Sequence, residues 1–225
     1  RMKKMDRMKK VGLFLIAFII CTTAFSQESE KAKALLDEVS LKMGAYTNMQ
    51  IGFSTSLVNI EAGINENDEL PTNGKITLQG EKYNLDYLGS NFVFDGNKLY
   101  VVNHDEKEVT INDQDLSEDD GFIYPSKLLT FHQEGYNYSM SKLVNIKGRK
   151  IQFVELTPID SASEIVKVHL GIDSKTKHIY QLIQFGANGA KTTLTINQFK
   201  SNQIISDQLF KFDKAKYEKL DYLID

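Results

Sequence analysis

Phe94-Asp95-Gly96-Asn97-Lys98-Leu99-Tyr100-Val101-Val102-Asn103 decides how the chain folds. Asp-Gly-Asn supplies a tight turn, and apolar residues recur at every second position on either side of it, Phe92 and Phe94 before and Leu99 and Val101 after. Two short alternating runs joined by such a turn make a hairpin. The same signature repeats in both directions. Ile51/Phe53/Thr55, Ile76/Leu78 and Tyr83/Leu85/Tyr87 precede it; Ile151/Phe153, Val166/Val168/Leu170/Ile172, Ile179/Gln181/Ile183/Phe185 and Thr192/Leu194/Ile196 follow. Asn73-Gly74, Lys147-Gly148, Asp173-Ser174-Lys175 and Asn188-Gly189 punctuate the runs as turns. Short strands at this spacing predict a meandering antiparallel sheet, and only three prolines interrupt 225 residues.

Two segments depart from period two. From Glu30 to Tyr46, the residues Ala32, Leu35, Leu36, Val39, Met43 and Tyr46 recur at steps of three and four, which predicts an amphipathic helix that needs an apolar surface to lie on. Between Asp113 and Phe131, Ser117 stands at capping-box spacing from Asp120, and Pro125 precedes Lys127, Leu128, Leu129 and Phe131. A short helix with an apolar face is expected there. No repeat, linker or second composition regime appears, so 27–225 reads as one domain.

Residues 1–26 read as a secretory leader: Lys9 and Lys10, an apolar run from Val11 to Cys21, then Ala24 and Ser26 at the small-residue positions of a cleavage site. The apolar run is too short to span a bilayer, which takes roughly 20 residues. Cys21 follows Ile20 rather than a small residue, which argues against lipidation. The mature chain would begin at Gln27, without cysteine, in an oxidising space such as a periplasm. Net charge is −3 overall, but the first ten residues hold six basic and one acidic residue, and the remainder has 21 basic against 29 acidic. That remainder is a poor candidate for nucleic acid or an anionic membrane, because both attract net positive surfaces.

Catalytic patterns are missing. His104, His132, His169 and His178 are widely spaced, with no H-E-x-x-H; His169 and His178 read as exposed histidines flanking a hairpin turn. Gly89-Ser90-Asn91 fails the spacing of a nucleophile elbow. A calcium loop from Asp113 fails at Glu118, where glycine is required. No metal and no cofactor is expected, and the chain reads as a non-enzyme.

The order of these features resembles the LolA family of periplasmic outer-membrane lipoprotein carriers. The resemblance runs from the amphipathic helix with Leu35-Leu36 through Phe53, Gly74-x-Ile76-x-Leu78 and Tyr83/Leu85/Tyr87 to the Asp95-Gly96 hairpin. It continues with Pro125-Ser126-Lys127-Leu128-Leu129, similar to a P-x-x-L-[LI] lid helix, and Leu209-Phe210-Lys211-Phe212, similar to an F-x-F closing strand. It implies an unclosed antiparallel β-barrel of about ten or eleven strands, mainly β with a helical lid, covering an apolar cavity. That cavity would receive acyl chains of lipoproteins from an inner-membrane lipoprotein-releasing transporter and yield them to an outer-membrane acceptor, the carrier being a monomer. Phe53, Tyr83, Leu85, Tyr87, Phe94 and Tyr100 would line it, Tyr100 on the family pattern alone, since alternation leaves open whether Leu99 or Tyr100 faces inward. Leu128, Leu129 and Phe131 would form the lid. The family's basic tether, commonly an arginine before proline, falls where this chain has Gln79-Gly80-Glu81-Lys82, so Lys82 is the candidate substitute, without the planar fork of arginine. A carrier for another lipid or amphiphile, and a secreted β-rich binding or sensor module with a packed core, are the alternative readings.

Overall fold

The computed structural model describes residues 27–66, 68, 70–113, 127, 130–133 and 135–225. The leader, its cleavage site, the Ser117–Pro125 capping features and the lid leucines Leu128 and Leu129 lie outside them. Helix α1 covers 27–44, and twelve strands form one sheet. They are β1 (Met49–Val58), β2 (Thr72–Gln79), β3 (Lys82–Tyr87), β4 (Ser90–Phe94), β5 (Leu99–Asn103), β6 (Glu108–Asn112), β7 (Tyr136–Ile146), β8 (Arg149–Pro158), β9 (Ile165–Asp173), β10 (Ile179–Gly186), β11 (Lys191–Ser201) and β12 (Leu223–Ile224). The spatial order β12-β6-β5-β4-β3-β2-β1-β11-β10-β9-β8-β7 is two meanders, β1–β6 and β7–β11, sewn together where β1 pairs with β11. Strands β7 and β12 are the two edges, so the sheet curls without closing. All pairings are antiparallel except β12 on β6. Among the described residues, no helix is long and apolar enough to cross a membrane.

The core lies between α1 and the inner face of the sheet. Ala32, Leu36, Val39 and Met43, the stripe predicted from the sequence, are buried against Ile51, Phe53, Ile76, Leu85, Leu170, Leu182 and Leu194. Leu41, on the opposite side of α1, is exposed. A helix of 18 residues is about 27 Å long, enough to lie across most of the curl.

The structure corrects several expectations about facing. Asn73-Gly74 is not a turn but part of β2, where Gly74 pairs with Phe53 and a Cβ would overlap the Phe53 ring. The run Ile179/Gln181/Ile183/Phe185 does not keep one face: an irregularity between Ile179 and Gln181 turns Leu182 inward and leaves Tyr180 outside. Ile151 and Phe153 also face outward, in a second small cluster with Tyr180. Tyr100 is on the outer face, because it pairs with Val93 and stacks on Phe212 at 4.7 Å; Leu99 takes the inner position. The Leu209–Phe212 segment is not a closing strand. Asp207–Phe210 is a single 3-10 turn, Phe212 packs outside the sheet, and the short helix α2 (Lys214–Lys219) leads to β12.

Candidate functional site

The inner face of β3–β5 rises from fully buried to half-buried side chains. Phe53, Tyr83 and Leu85 are 1–2% exposed beneath α1. Tyr87, Phe92, Phe94 and Val101 continue the same face but are only half-buried, as are Tyr136, Tyr138 and Met140 on β7. Aromatic contacts knit this surface. Phe53 and Tyr87 rings lie 5.5 Å apart, and Tyr83 stacks on Phe94 at 5.6 Å. The Tyr87 hydroxyl hydrogen-bonds the Thr55 hydroxyl at 2.8 Å, so the ring is fixed in orientation as well as packed.

At the end of this face where β1 leaves and β2 enters, a pocket of about 320 Å³ is lined by Thr55, Leu57, Leu70, Thr72, Tyr87, Leu88 and Thr192. Its floor carries hydroxyls and its rim is aliphatic. Leu70 is 92% and Leu88 68% exposed. Leu88 and Gly89 both have positive φ, 53° and 77°, in the two-residue turn that joins Tyr87 to Ser90. That turn type tolerates glycine and asparagine best, so a leucine is held out to solvent there at a cost in backbone strain. The sequence offered no signal for this rim, because a single leucine beside a glycine looks like ordinary strand.

The candidate lid residues divide. Phe131 is buried and meets Tyr136 edge-on at 5.8 Å. It belongs to the 3-10 turn Phe131–Gln133, which is tied down at both sides. His132 Nε2 is 3.0 Å from Ser40 Oγ on α1, and the Tyr138 hydroxyl donates to the His132 carbonyl at 2.9 Å. His132 is 3% exposed, and its Nδ1 has no hydrogen-bond partner. Burial holds its pKa below the ordinary histidine value, against the attraction of Asp37. Lys82 shares the outer face with Asn84, and its stem lies where a side chain added at Gly96 would touch it. It is therefore on the opposite side of β3 from Tyr83.

His169 and His178 are placed differently from the expectation of two exposed side chains on a hairpin. His169 is outside, 2.9 Å from Glu155 and 5.2 Å from the Phe185 ring. His178 is half-buried between Tyr46, whose hydroxyl it meets at 2.8 Å, and Phe199, 4.2 Å away. Burial, aided by Lys42 and opposed by Asp173, lowers its pKa. Among the described residues no three His, Cys, Asp or Glu side chains are grouped to hold a metal.

The family model described as outer membrane lipoprotein carrier protein LolA matches residues 81–213. No curated protein matches the sequence. Among solved structures, an uncharacterized conserved protein from Thermus thermophilus is similar, with a TM-score of 0.57 at 11% identity over 87% of this chain and 98% of that one. A LolA superfamily protein from Nitrosomonas europaea aligns with a TM-score of 0.41 at 13% identity, over 80% and 97%. The Mycobacterium tuberculosis lipoprotein LppX gives 0.44 at 15% identity, over 77% and 98%.

Proposed function

The chain belongs to the LolA family, and from that premise we propose that it is a periplasmic carrier that shelters the acyl chains of a lipoprotein between the inner and the outer membrane. Its role is non-catalytic. A lipoprotein-releasing transporter of the inner membrane loads it and an acceptor of the outer membrane unloads it. The observation that carries this reading is the half-buried apolar surface of Tyr87, Phe92, Phe94 and Val101, continuous with a packed core and opening into a leucine-rimmed pocket. Each methylene moved from water to such a surface gains about 0.8 kcal/mol.

Size decides how loading works. A pocket of about 320 Å³ is near the lower limit of small-molecule sites, roughly 300–1,000 Å³. The rest of the inner face is filled by Leu36, Val39 and Met43 of α1 together with Phe131. A full acyl chain therefore displaces a cover, and the segment carrying Leu128, Leu129 and Phe131 is the cover we assign. Phe131, packed beside Tyr136, is its anchor.

Mass spectrometry of protein purified from its native envelope, with binding of an apolar fluorescent probe, tests the reading. Bound lipoprotein supports it, bound free lipid favours a carrier for another amphiphile, and a folded sample that takes up neither lipid nor probe rejects both. The second reading draws support from Lys82, which faces away from the inner surface and beside Gly96. In Leu129→Ala, probe affinity should hold or rise while stability falls modestly and cargo is retained. A large stability loss with negligible probe binding would reject the lid.

A further inference from the structure

Charge is segregated along the strands. At the end bearing the leucine rim, the described residues of the connections 59–71, 104–107 and 159–164 hold seven carboxylates against the one lysine, Lys107. At the opposite end, one corner of the sheet reverses the sign. The β7–β8 turn and the start of β8 bring Lys147, Arg149 and Lys150; the β9–β10 turn brings Lys175 and Lys177; β11 ends with Lys200. These turns are joined directly, since Ser174 N donates to the Lys150 carbonyl at 2.9 Å. The end of α1 adds Lys42, close enough to His178 to lower its pKa.

Neutralisation within the corner is slight. Lys177 pairs with Glu38 at 2.9 Å, and Asp173 is buried, accepting from the backbone N–H groups of Lys175 and Thr176. Among the described residues, no carboxylate lies within 4.0 Å of the charged groups of Lys147, Arg149, Lys150, Lys175 or Lys200. Arg149 lies over the Tyr180 ring, 5.6 Å from its centroid, at the wall of a pocket of about 390 Å³ that Asp173, Lys175, Thr176, Asn197 and Gln198 also line. Asp173 is the one carboxylate there; against the opposing effect of burial, the two backbone N–H groups that hold it and Arg149 lower its pKa. Leu41 on α1 and Ile204 beyond β11 stand 79% and 105% exposed at the same end.

We propose that this cationic corner docks on an anionic phospholipid surface, with lipid phosphate seated between Arg149 and Lys175 and with Leu41 and Ile204 entering the acyl boundary. A bilayer fits better than an acidic protein. The cations sit on separate turns with long flexible stems and two protruding aliphatic chains beside them, which suits a fluid, laterally adjustable field of phosphates. The acidic opposite end is repelled by the same surface, so docking points the leucine-rimmed pocket away from the bilayer. The cationic corner and the leucine-rimmed pocket are at opposite ends of the strands, so docking does not depend on what the pocket carries.

Cosedimentation of the whole protein with vesicles of phosphatidylcholine alone, and of phosphatidylcholine mixed equally with phosphatidylglycerol, tests it. Binding is expected only to the mixed vesicles and should weaken as salt shortens the screening length, about 10 Å at 0.1 M. Arg149→Gln with Lys175→Gln should weaken that binding about thirtyfold, near fivefold per cation, at an unchanged melting temperature, because both side chains are exposed. Lys107→Gln makes a change of the same sign at the acidic end and should leave binding intact. Ile204→Ser should reduce it several-fold. Equal binding to both vesicle types overturns the proposal, as does an equal loss in Lys107→Gln. So does capture of polyglutamate or inorganic phosphate through Arg149 and Lys175 by a protein that ignores the mixed vesicles.

Discussion

His132 and His178 make stability depend on pH in one direction. Both have pKa values lowered in the folded chain, His132 by burial against Asp37, His178 by burial and Lys42 against Asp173. An unfolded histidine titrates near 6.5, so the unfolded state takes up the proton first as pH falls. The stability these neutral rings contribute is complete above about pH 6.5 and is lost between that value and their folded pKa values. The melting temperature should therefore fall on acidification through this window, and His132→Phe should flatten the fall while leaving the His178 part. An unchanged pH profile in that variant would show that burial of His132 is not linked to folding. Gly74 gives a second single-residue test. Gly74→Ala drives a methyl into the Phe53 ring and should cost about 1–3 kcal/mol by denaturant unfolding; Phe53→Leu added to it should recover part of the loss. This glycine also shows where the sequence misleads. Asn-Gly is a strong turn signal, and only the size of the residue opposite, invisible to local pattern, makes it a strand position.

Helix α1 was legible because its stripe is long and periodic, and the antiparallel meander because alternation recurs between turns. Strand β7 was not. Tyr136, Tyr138 and Met140 alternate, but the bulge between Met140 and Leu143 breaks the period and shifts the face. The bulge and the exposed Lys142 are also what protects this long edge from pairing with another sheet. Strand β12 is two residues, below any periodic signal. The outer cluster of Ile151, Phe153 and Tyr180, and the stack of Tyr100 on Phe212, escaped for one shared reason: alternation separates two faces without saying which one is inside. Of the candidate lining residues, Phe53, Tyr83, Leu85, Tyr87 and Phe94 share the inner face, while Tyr100 needed the C-terminal segment to be placed. At this scale α1 is the element to perturb. Leu36→Ala removes a side chain 2% exposed, so stability should fall by about 2–5 kcal/mol. Because the vacancy adjoins the inner face, probe affinity should rise; a fall would mean that α1 itself forms part of the ligand site.

For the whole molecule, the pocket and the filled core beside it imply a chain-length dependence. Calorimetry with fatty acids of increasing length should show affinity climbing by about 0.8 kcal/mol per methylene until the pocket is full. The slope should then break where further growth must displace a cover. A uniform slope throughout would mean that the inner face is open without rearrangement. The seam where β1 meets β11 has a consequence in time rather than in binding. Every other long pairing joins strands that are neighbours along the chain, but this one unites residues 49–58 with 191–201, across well over half the sequence. Each meander can form from local hairpins in microseconds, whereas the seam must wait for the closure of a very long loop. Refolding should therefore be limited by a single slow step that assembles two preformed halves. At Gly52, where the β1 backbone passes close against Gln198, a bulkier residue should then retard folding far more than it hastens unfolding.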